Sequence, residues 1–485
     1  MNFNSLHFAL FYLVVWAVIF SLRNRVRARN AVLLVASYYF YGCWDYRFLG
    51  LIVVSTVVDY ACGLWLDVRH VDPAHPPART GRHRAILLLS LFTNLGILGF
   101  FKYYDFFIDS AADFLGALGF QAHPSTLNII LPVGISFYTF QTLSYTIDLY
   151  RGRVTTERSL LNFAVYVAFF PQLVAGPIER ASRLLPQVAE PRAITWPRVY
   201  TGLYLMGWGL VKKVVVADNV AAAANQVFAA DQVTGLSALI GVYAFAVQIY
   251  CDFSAYSDIA RGAARCMGFD LMLNFNLPYF ATNPSDFWRR WHISLSTWLR
   301  DYLYVSLGGN RKGAGRTYVN LMLTMILGGL WHGAAWNFVL WGVYHGALLC
   351  VHRRVKPWLE RWVHPRGALA DRLWFGLRVV VFFHLVCLGW LLFRAQSLQQ
   401  VGDMLSALVS GWTLTALAIK LPALQAFAAC ALLFACVQLF QWVTQDLKFV
   451  LRMPVPLRAL VYTTGILAFI LFGNYRGEAF IYFQF

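Results

Sequence analysis

The residues best suited to chemistry lie in an almost wholly apolar stretch at positions 327 to 346, which reads LGGLWHGAAWNFVLWGVYHG. It contains two histidines, His332 and His345, and five glycines. An imidazole can act as a general base near neutral pH, and an ionisable residue inside a membrane segment usually marks a functional site. The stretch therefore predicts a catalytic role for His332. For His345 the favoured interpretation is structural, a buried histidine satisfied by a hydrogen bond between helices.

The surrounding sequence places His332 at a break between two helices. Residues 317 to 352 contain no Asp, Glu, Lys or Arg over 36 positions, and arginine-rich segments flank them on both sides. Two complete membrane spans need about 40 residues, so the segment predicts two short spans or a re-entrant hairpin that breaks near residues 332 to 337. Gly328 and Gly329 share the helical face of His332. They predict a hollow beneath the imidazole or, as the structural alternative, close packing of two helices.

A second polar group lies in IYCDFSAYSDIARG at positions 249 to 262, directly after an apolar segment. Carboxylates in such a setting need partners inside the membrane, and the candidates are Arg261, Lys212 and Lys213. Contact with a substrate and a buried network that holds helices together both remain open. The residues concerned are Asp252, Ser254, Tyr256 and Asp258.

The segment FWRRWHISLSTWLRDYLYVSL at 287 to 307 predicts an amphipathic helix in the membrane interface. Asn283 or Ser285 could cap a helix that begins near Asp286. Arg289 and Arg290 lie off the apolar face and could attract phosphate groups, whereas an anchor without chemistry is the alternative. The apolar face comprises Trp288, Trp291, Leu295, Trp298 and Tyr302.

Composition defines the elements that must position these residues. Of the 485 residues, 59% are hydrophobic and 13% are charged, about half the charged fraction of a soluble domain. Apolar runs without alternation recur along the chain, so we predict an all-α, polytopic integral membrane protein with roughly eleven to fourteen membrane helices. The absence of an internal repeat in the sequence weakens a transporter interpretation.

The formal net charge of +17 comes from basic clusters in short loops. The positive-inside rule explains them as cytoplasmic anchors rather than as a nucleic-acid surface. It places the loop at 23 to 29 in the cytoplasm and the N-terminus outside. Eight cysteines are scattered without a CxxC pair, so the sequence predicts neither a disulfide framework nor a metal site.

Ordered motifs along nearly the whole chain resemble the membrane-bound O-acyltransferase (MBOAT) family, and within it the bacterial alginate O-acetyltransferase branch. Besides the stretch at 327 to 346, they are NAVLLVASYYFYGCWDYRFL (30–49), LPVGISFYTFQTLSYTIDLYRG (131–152), FFPQLVAGPIER (169–180), YCDFSAYSDIARG (250–262), FWRRWHISLSTWLRDYLYVSLGGNR (287–311), GWLLFRA (389–395) and YFQF (482–485).

The resemblance implies one membrane domain over residues 1–485, with N-terminal helices at 1–124, a catalytic core at 125–352 and C-terminal helices at 353–485. The helices, some of them short or re-entrant, would surround a central tunnel. His332 in the WHG motif would be the catalytic histidine, and His292 in WRRWHIS a second catalytic position. The candidates for contact with donor or substrate are Arg289, Arg290, Trp291, Trp331, Gly328, Gly329, Asn337, Asp252, Ser254, Tyr256 and Asp258.

The function implied is a multi-pass O-acetyltransferase of the bacterial inner membrane. It would take an acetyl group from a cytoplasmic donor, acetyl-CoA, without a metal or a tightly bound cofactor. The acceptor would be a secreted polysaccharide such as alginate or cellulose, reached directly or through a periplasmic acetyltransferase of the exopolysaccharide machinery. The alternatives are a transporter, or a scaffold for such a complex without chemistry of its own.

Overall fold

The computed structural model describes residues 1–71, 79–120, 126–174, 176–362, 367–413, 417–475 and 480–481. Across these ranges the regular structure is entirely helical, as predicted. The chain divides into two compact units, one of residues 1–206 and 257–272, the other of residues 207–256 and 273–485. The motif YFQF at 482–485 lies outside the described residues.

The first unit is organised around α3, α4 and α6, which share a buried polar network. Asp59 of α3 accepts hydrogen bonds from Ser90 (2.5 Å) and Asn94 (2.9 Å) of α4. Thr142 of α6 donates to Asn94 at 3.2 Å, so each helix contributes to the network. Satisfied bonds of this kind connect helices where water is absent. The helices are α1 (Leu6–Ser21), α2 (Val26–Asp45), α3 (Leu49–Leu66), α4 (Gly81–Leu98), α5 (Tyr104–Ala117), α6 (Ile135–Tyr150), α7 (Leu160–Ala168), α8 (Phe170–Leu173), α9 (Ala181–Ala189) and α10 (Trp196–Leu210), whose end belongs to the second unit.

The second unit carries the stretch around His332. Its helices are α11 (Asp218–Phe228), α12 (Gly235–Cys266), whose last residues belong to the first unit, α13 (Pro284–Arg290), α14 (Ile293–Trp298), α15 (Gly313–His332), α16 (Trp336–Trp362), α17 (Ala368–Arg394), α18 (Leu398–Ser410), α19 (Leu421–Thr444) and α20 (Val455–Phe472). A π-helical turn, Leu299–Tyr304, follows α14.

Six helical segments within the described part of the chain are long and apolar enough to cross a membrane. They are Val26–Leu66, Gly81–Ala117, Gly235–Cys266, Ala368–Arg394, Leu421–Thr444 and Val455–Phe472. The first joins α2 and α3, and the second joins α4 and α5, so one segment can contain more than one helix. The class of multi-pass helical membrane protein is confirmed, while the number of eleven to fourteen spans stays a prediction.

The predicted break in the apolar stretch is confirmed. Helix α15 ends at His332, and α16 begins at Trp336. The glycines bring the two helices together: a Cβ at Gly329 would overlap the carbonyl oxygen of Phe338, and one at Gly342 would overlap that of Met325. The close-packing alternative therefore describes Gly329, and the hollow predicted there is wrong because the α16 backbone fills it.

The prediction of one continuous interfacial helix from residue 286 onwards is wrong, because the chain forms two separate helices, α13 and α14. Asn283 caps α13 as predicted, accepting a hydrogen bond from the backbone nitrogen of Asp286 at 2.9 Å. The helix then stops, because Trp291 is extended and His292 has a φ of 41°. The predicted apolar face is also mostly buried in protein, with Trp291, Leu295, Trp298 and Tyr302 all at 7% exposure or less.

Candidate active site

His332 is the last residue of α15 and is 5% exposed. Its imidazole lies edge-on to Trp341, with ring centroids 5.0 Å apart, and to Phe393 at 5.4 Å. Trp331 contacts it at 5.0 Å from the preceding position. The C-terminal end of a helix carries partial negative charge, which favours an imidazole that takes up a proton. The site therefore suits a base held in an apolar surround.

The second predicted catalytic histidine lies beside the first. The ring centroids of His292 and His332 are 6.3 Å apart, and His292 also contacts Trp331 at 5.9 Å. His292 has no exposed surface. Two imidazoles that are 40 positions apart in sequence thus come together where α14 begins and α15 ends.

Asn274 fixes the turn that carries His292. Its side-chain oxygen accepts hydrogen bonds from the backbone nitrogen of Ser294 (3.2 Å) and from the Ser294 hydroxyl (2.9 Å). Its carbonyl oxygen accepts one from the nitrogen of Ile293 at 2.9 Å. Asn274 and Ser294 are both fully buried. These bonds hold the chain on the far side of His292 and stop a helix from continuing through it.

Aromatic side chains from three other elements complete the surroundings of the histidines. Phe253 of α12 lies edge-on to His292 at 4.6 Å, and Phe338 and Trp341 of α16 both contact Phe393 of α17. All four lie within motifs quoted above: Phe253 in YCDFSAYSDIARG, Phe338 and Trp341 in the stretch at 327 to 346, and Phe393 in GWLLFRA. The motifs were the available signal, but their sequence does not show which aromatic rings meet the histidines.

The polar cluster of α12 has the partners that the sequence predicted. Lys213 Nζ lies 2.8 Å from Asp252 and 2.8 Å from Asp218, and Lys212 donates to the Ser254 hydroxyl at 2.8 Å. All five side chains are buried. The paired charges offset much of the cost of removing them from water, which favours the network interpretation for Asp252 and Ser254.

The same cluster contacts Phe480 and Ile481. The backbone nitrogen of Ile481 donates to Asp252 at 2.7 Å. Phe480 stacks on Tyr256, with centroids 4.0 Å apart, and contacts Phe253 at 5.8 Å. Phe253 therefore contacts both Phe480 and His292.

Asp258, the last member of the predicted cluster, belongs to the first unit. It forms an ion pair with Arg261 at 3.0 Å, the third partner predicted from the sequence. Both side chains are about one fifth exposed. This pair is therefore not part of the unit that contains His292 and His332.

The remaining candidates have mostly structural contacts. Arg290 forms an ion pair with Asp286 at 3.0 Å. Arg289 makes a longer contact, 3.8 Å, with the same carboxylate, and its side chain is 73% exposed. Asn337 donates to the carbonyl oxygen of Ala395 at 2.9 Å and so attaches the start of α16 to the end of α17. A Cβ at Gly328 would lie 3.0 Å from a methyl carbon of Leu299. Of these residues, Arg289 has the side chain most accessible to an anionic ligand.

No group of three or more His, Cys, Asp or Glu side chains in the described ranges is arranged to hold a metal ion. The chemistry available at the site is that of two imidazoles in an aromatic surround. It can move a proton and exclude water.

Comparison with known proteins places the two histidines inside a recognised region. The model of the MBOAT, membrane-bound O-acyltransferase family matches residues 153–392. His292, His332 and the neighbouring rings of Phe253 and Trp341 fall within that range, and Phe393 lies one residue beyond it.

Several curated proteins are similar over most of the chain. The probable alginate O-acetylase AlgI of Pseudomonas aeruginosa is 42% identical over 410 residues, which cover 84% of this chain and 75% of that protein. The peptidoglycan O-acetyltransferase of Helicobacter pylori is 36% identical over 406 residues, covering 78% and 73%. The teichoic acid D-alanyltransferase of Bacillus subtilis is 29% identical over 294 residues, covering 57% and 72%. By name, all three transfer an acyl group.

Proposed function

Because the chain belongs to the membrane-bound O-acyltransferase family, we propose that it moves an acetyl group from a cytoplasmic donor to a hydroxyl of a secreted polysaccharide. That it is an acyltransferase follows from the family and from its O-acetyltransferase relatives. The observation that carries the proposal is the pair of buried imidazoles, His292 and His332, with centroids 6.3 Å apart. This pair supports acyl transfer better than it supports a scaffold without chemistry.

In the proposed reaction His332 acts as the general base. It takes the proton of the attacking hydroxyl while the hydroxyl oxygen forms a bond to the carbonyl carbon of the acetyl thioester. The carbon–sulfur bond breaks, and the leaving thiolate takes the proton back from His332. No acetyl group is attached to this chain along this route. The rings of Trp331, Trp341 and Phe393 limit the access of water, which would otherwise hydrolyse the donor.

His292 acts as a positioning group in this scheme. Burial lowers its pKa to about 3, so its imidazole is neutral at pH 7. A neutral imidazole has one donor and one acceptor nitrogen, which suits a hydrogen bond to the donor better than storage of a proton. The backbone that follows it is held by Asn274, and its ring lies beside that of His332.

Acetyl-CoA is the proposed donor, and its phosphates would meet Arg289 and Arg290 at the cytoplasmic side. The proposed location is the bacterial inner membrane, and the proposed acceptor is alginate or another exopolysaccharide, reached directly or through a periplasmic acetyltransferase. The AlgI relatives support the choice of alginate. Mass spectrometry of the polymer made with and without this protein tests it, since the acetyl content falls only where the acceptor is the right one.

Replacing His332 tests the central step. We expect His332→Ala to lower donor turnover by at least about 100-fold, because a general base contributes roughly 10²–10⁴ in rate. The measurement is the release of free CoA from acetyl-CoA by the purified protein with polysaccharide present. His352→Ala is the matched control, since His352 lies on α16 and is only half-buried.

Two results would contradict the proposal. A folded His332→Ala protein with normal turnover would leave the transfer without its base. The second result concerns cells. If cells that carry only this variant acetylate the polymer normally, and cells in which the gene is deleted do not, the protein would instead be a scaffold.

A further inference from the structure

Three helices of the first unit each carry a pair of polar residues four positions apart in a mainly apolar sequence. Residues with this spacing lie on the same face of a helix, and hydrogen bonds between the pairs show that the three faces meet. All six side chains are buried, with at most 1% exposure. We name them the Asp59 cluster: Ser55 and Asp59 on α3, Ser90 and Asn94 on α4, and Thr142 and Thr146 on α6.

Hydrogen bonds inside the cluster fix the orientation of the Asn94 amide. Its Nδ2 donates to the backbone carbonyl oxygen of Ser90 at 3.0 Å. Its Oδ1 accepts from the hydroxyls of Ser55 at 2.5 Å and Thr142 at 3.2 Å. The second hydrogen of the same Nδ2 is therefore directed at Asp59 Oδ2, 2.9 Å away.

Both carboxylate oxygens of Asp59 accept hydrogen bonds. Oδ2 faces the Asn94 amide nitrogen, and Oδ1 accepts from the hydroxyls of Ser90 at 2.5 Å and Thr146 at 3.4 Å. A protonated carboxyl would have to donate from one of these oxygens. An arrangement in which both oxygens accept fits the ionised form.

The negative charge of Asp59 has no counter-charge in the described ranges. Its partners there are neutral hydroxyl and amide groups. The arginines of the same helices, Arg82 and Arg84, are exposed at the start of α4, and the acid on α6, Asp148, lies 4.0 Å from Arg153. Hydrogen bonds satisfy the lone pairs of a buried carboxylate, but an uncompensated charge in an apolar interior remains costly. The ionised carboxylate therefore requires a cation.

We propose that the Asp59 cluster binds one sodium ion, which connects α3, α4 and α6. A single carboxylate offsets a single positive charge, so a monovalent ion leaves the cluster neutral, whereas a divalent ion would not. Carboxylate, hydroxyl and amide oxygens are the ligands that hard cations prefer, and a hydroxyl that donates its hydrogen keeps lone pairs for the ion. Neighbouring oxygens in the cluster are 2.5–3.4 Å apart, which favours sodium over the larger potassium.

Thermal stability in detergent tests for the ion. The melting temperature of the purified full-length protein is measured in sodium, potassium and choline chloride at equal ionic strength. A ligand that binds only the folded state raises this temperature. We expect a rise of roughly 3 °C from choline to sodium, with potassium between them. General screening by salt is the same in all three solutions, so a difference reports binding.

Two variants each remove one part of the cluster. Asp59→Asn keeps the shape of the side chain but removes its charge, and we expect the sodium effect to vanish. Thr146→Val keeps the charge but removes one oxygen. We expect the sodium concentration that gives half of the shift to rise roughly tenfold, as when other contacts around a bound metal are lost.

Asp67→Asn is the matched control and should retain the full sodium effect. Asp67 directly follows α3, its side chain is 39% exposed, and it forms an ion pair with Arg158 at 2.6 Å. Retention of radioactive sodium by the purified protein measures binding directly. Saturable retention by the wild type and by Asp67→Asn, absent from Asp59→Asn, would support the site.

Equal melting temperatures of the wild type in sodium and choline, without retained sodium, would overturn the inference. Asp59 would then be held neutral within a closed hydrogen-bonded network. If Asp59→Asn does not fold, the comparison of the wild type with Thr146→Val decides. The same sodium dependence in these two proteins would likewise overturn the inference, because the ion would then not be bound by the cluster.

Discussion

His292 has a backbone conformation that few non-glycine residues adopt, with φ 41° and ψ 54°. A residue in this left-handed region costs about 1–3 kcal/mol and persists only where its surroundings enforce it. Asn274 supplies that enforcement through its two bonds to Ser294 and one to Ile293. The direction of the imidazole therefore depends on a residue that is not itself part of the reacting group.

Replacing Asn274 should lower activity through this turn. Asn274→Ala removes two side-chain hydrogen bonds, each worth about 0.5–1.5 kcal/mol, and leaves the Ser294 amide without its acceptor. We expect kcat to fall roughly tenfold, since 1.4 kcal/mol corresponds to about that factor in rate. Steady-state turnover of acetyl-CoA measures it. Ser306→Ala is the control, because its hydroxyl donates to the carbonyl of Tyr302 on its own turn; equal activity in both variants would show that the turn does not depend on Asn274.

The backbones of helices α15 and α16 approach each other so closely that there is no space for a Cβ at the contact positions, and this packing positions His332. A Cβ at Gly329 would overlap the backbone of α16, and one at Gly342 would overlap the backbone of α15. Small residues permit such an approach within a membrane. The gap between His332 and Trp336 is short, so a change in the separation of the helices would move the imidazole directly.

Gly329→Ala should separate the hairpin. The added methyl group has no space, and we expect a loss of about 1–3 kcal/mol of stability, visible as a lower melting temperature in detergent, together with reduced turnover. Gly315→Ala is the control, because Gly315 is on the same helix and a Cβ added there would meet nothing within 4 Å. It should be neutral or stabilising by up to about 1 kcal/mol, because alanine is the better helix former. If Gly329→Ala melts like Gly315→Ala, the close approach does not hold the hairpin together.

The sequence predicted the elements that depend on local pattern. It gave the break after His332 and the pairing of Lys213 with Asp252, because a buried carboxylate must have a cation near it. It did not give the interruption at His292. The apolar spacing continues through that residue, whereas the bonds that stop the helix come from Asn274, 18 positions earlier. The rings of Phe253, Trp341 and Phe393 were missed for the same reason, since each meets the histidines only through packing between helices.

Charge and helix length together determine how the chain can cross the membrane. Helix α1 has 16 residues, a length of about 24 Å, which is short of the ~30 Å hydrocarbon core. The basic run after it includes Arg29, which is 1% exposed and donates to the carbonyl oxygens of Val188 (2.5 Å) and Glu190 (2.9 Å). The end of α9 therefore lies on the same side as the first basic loop, whichever way α1 inserts.

Reporter fusions should place that side in the cytoplasm. The positive-inside rule keeps arginine-rich loops there, so fusions ending at Arg69 and at Glu190 should be fluorescent with green fluorescent protein and inactive with alkaline phosphatase. A fusion ending at Arg47, in the turn between α2 and α3, should show the opposite, since the charge of Arg47 is offset by Asp45 at 2.6 Å. Phosphatase activity at Glu190 but not at Arg69 would contradict the arrangement, because Arg29 could not then reach the end of α9. A cytoplasmic result at both sites would put the end of α9 and the end of α3 on the side where acetyl-CoA, the proposed donor, is made.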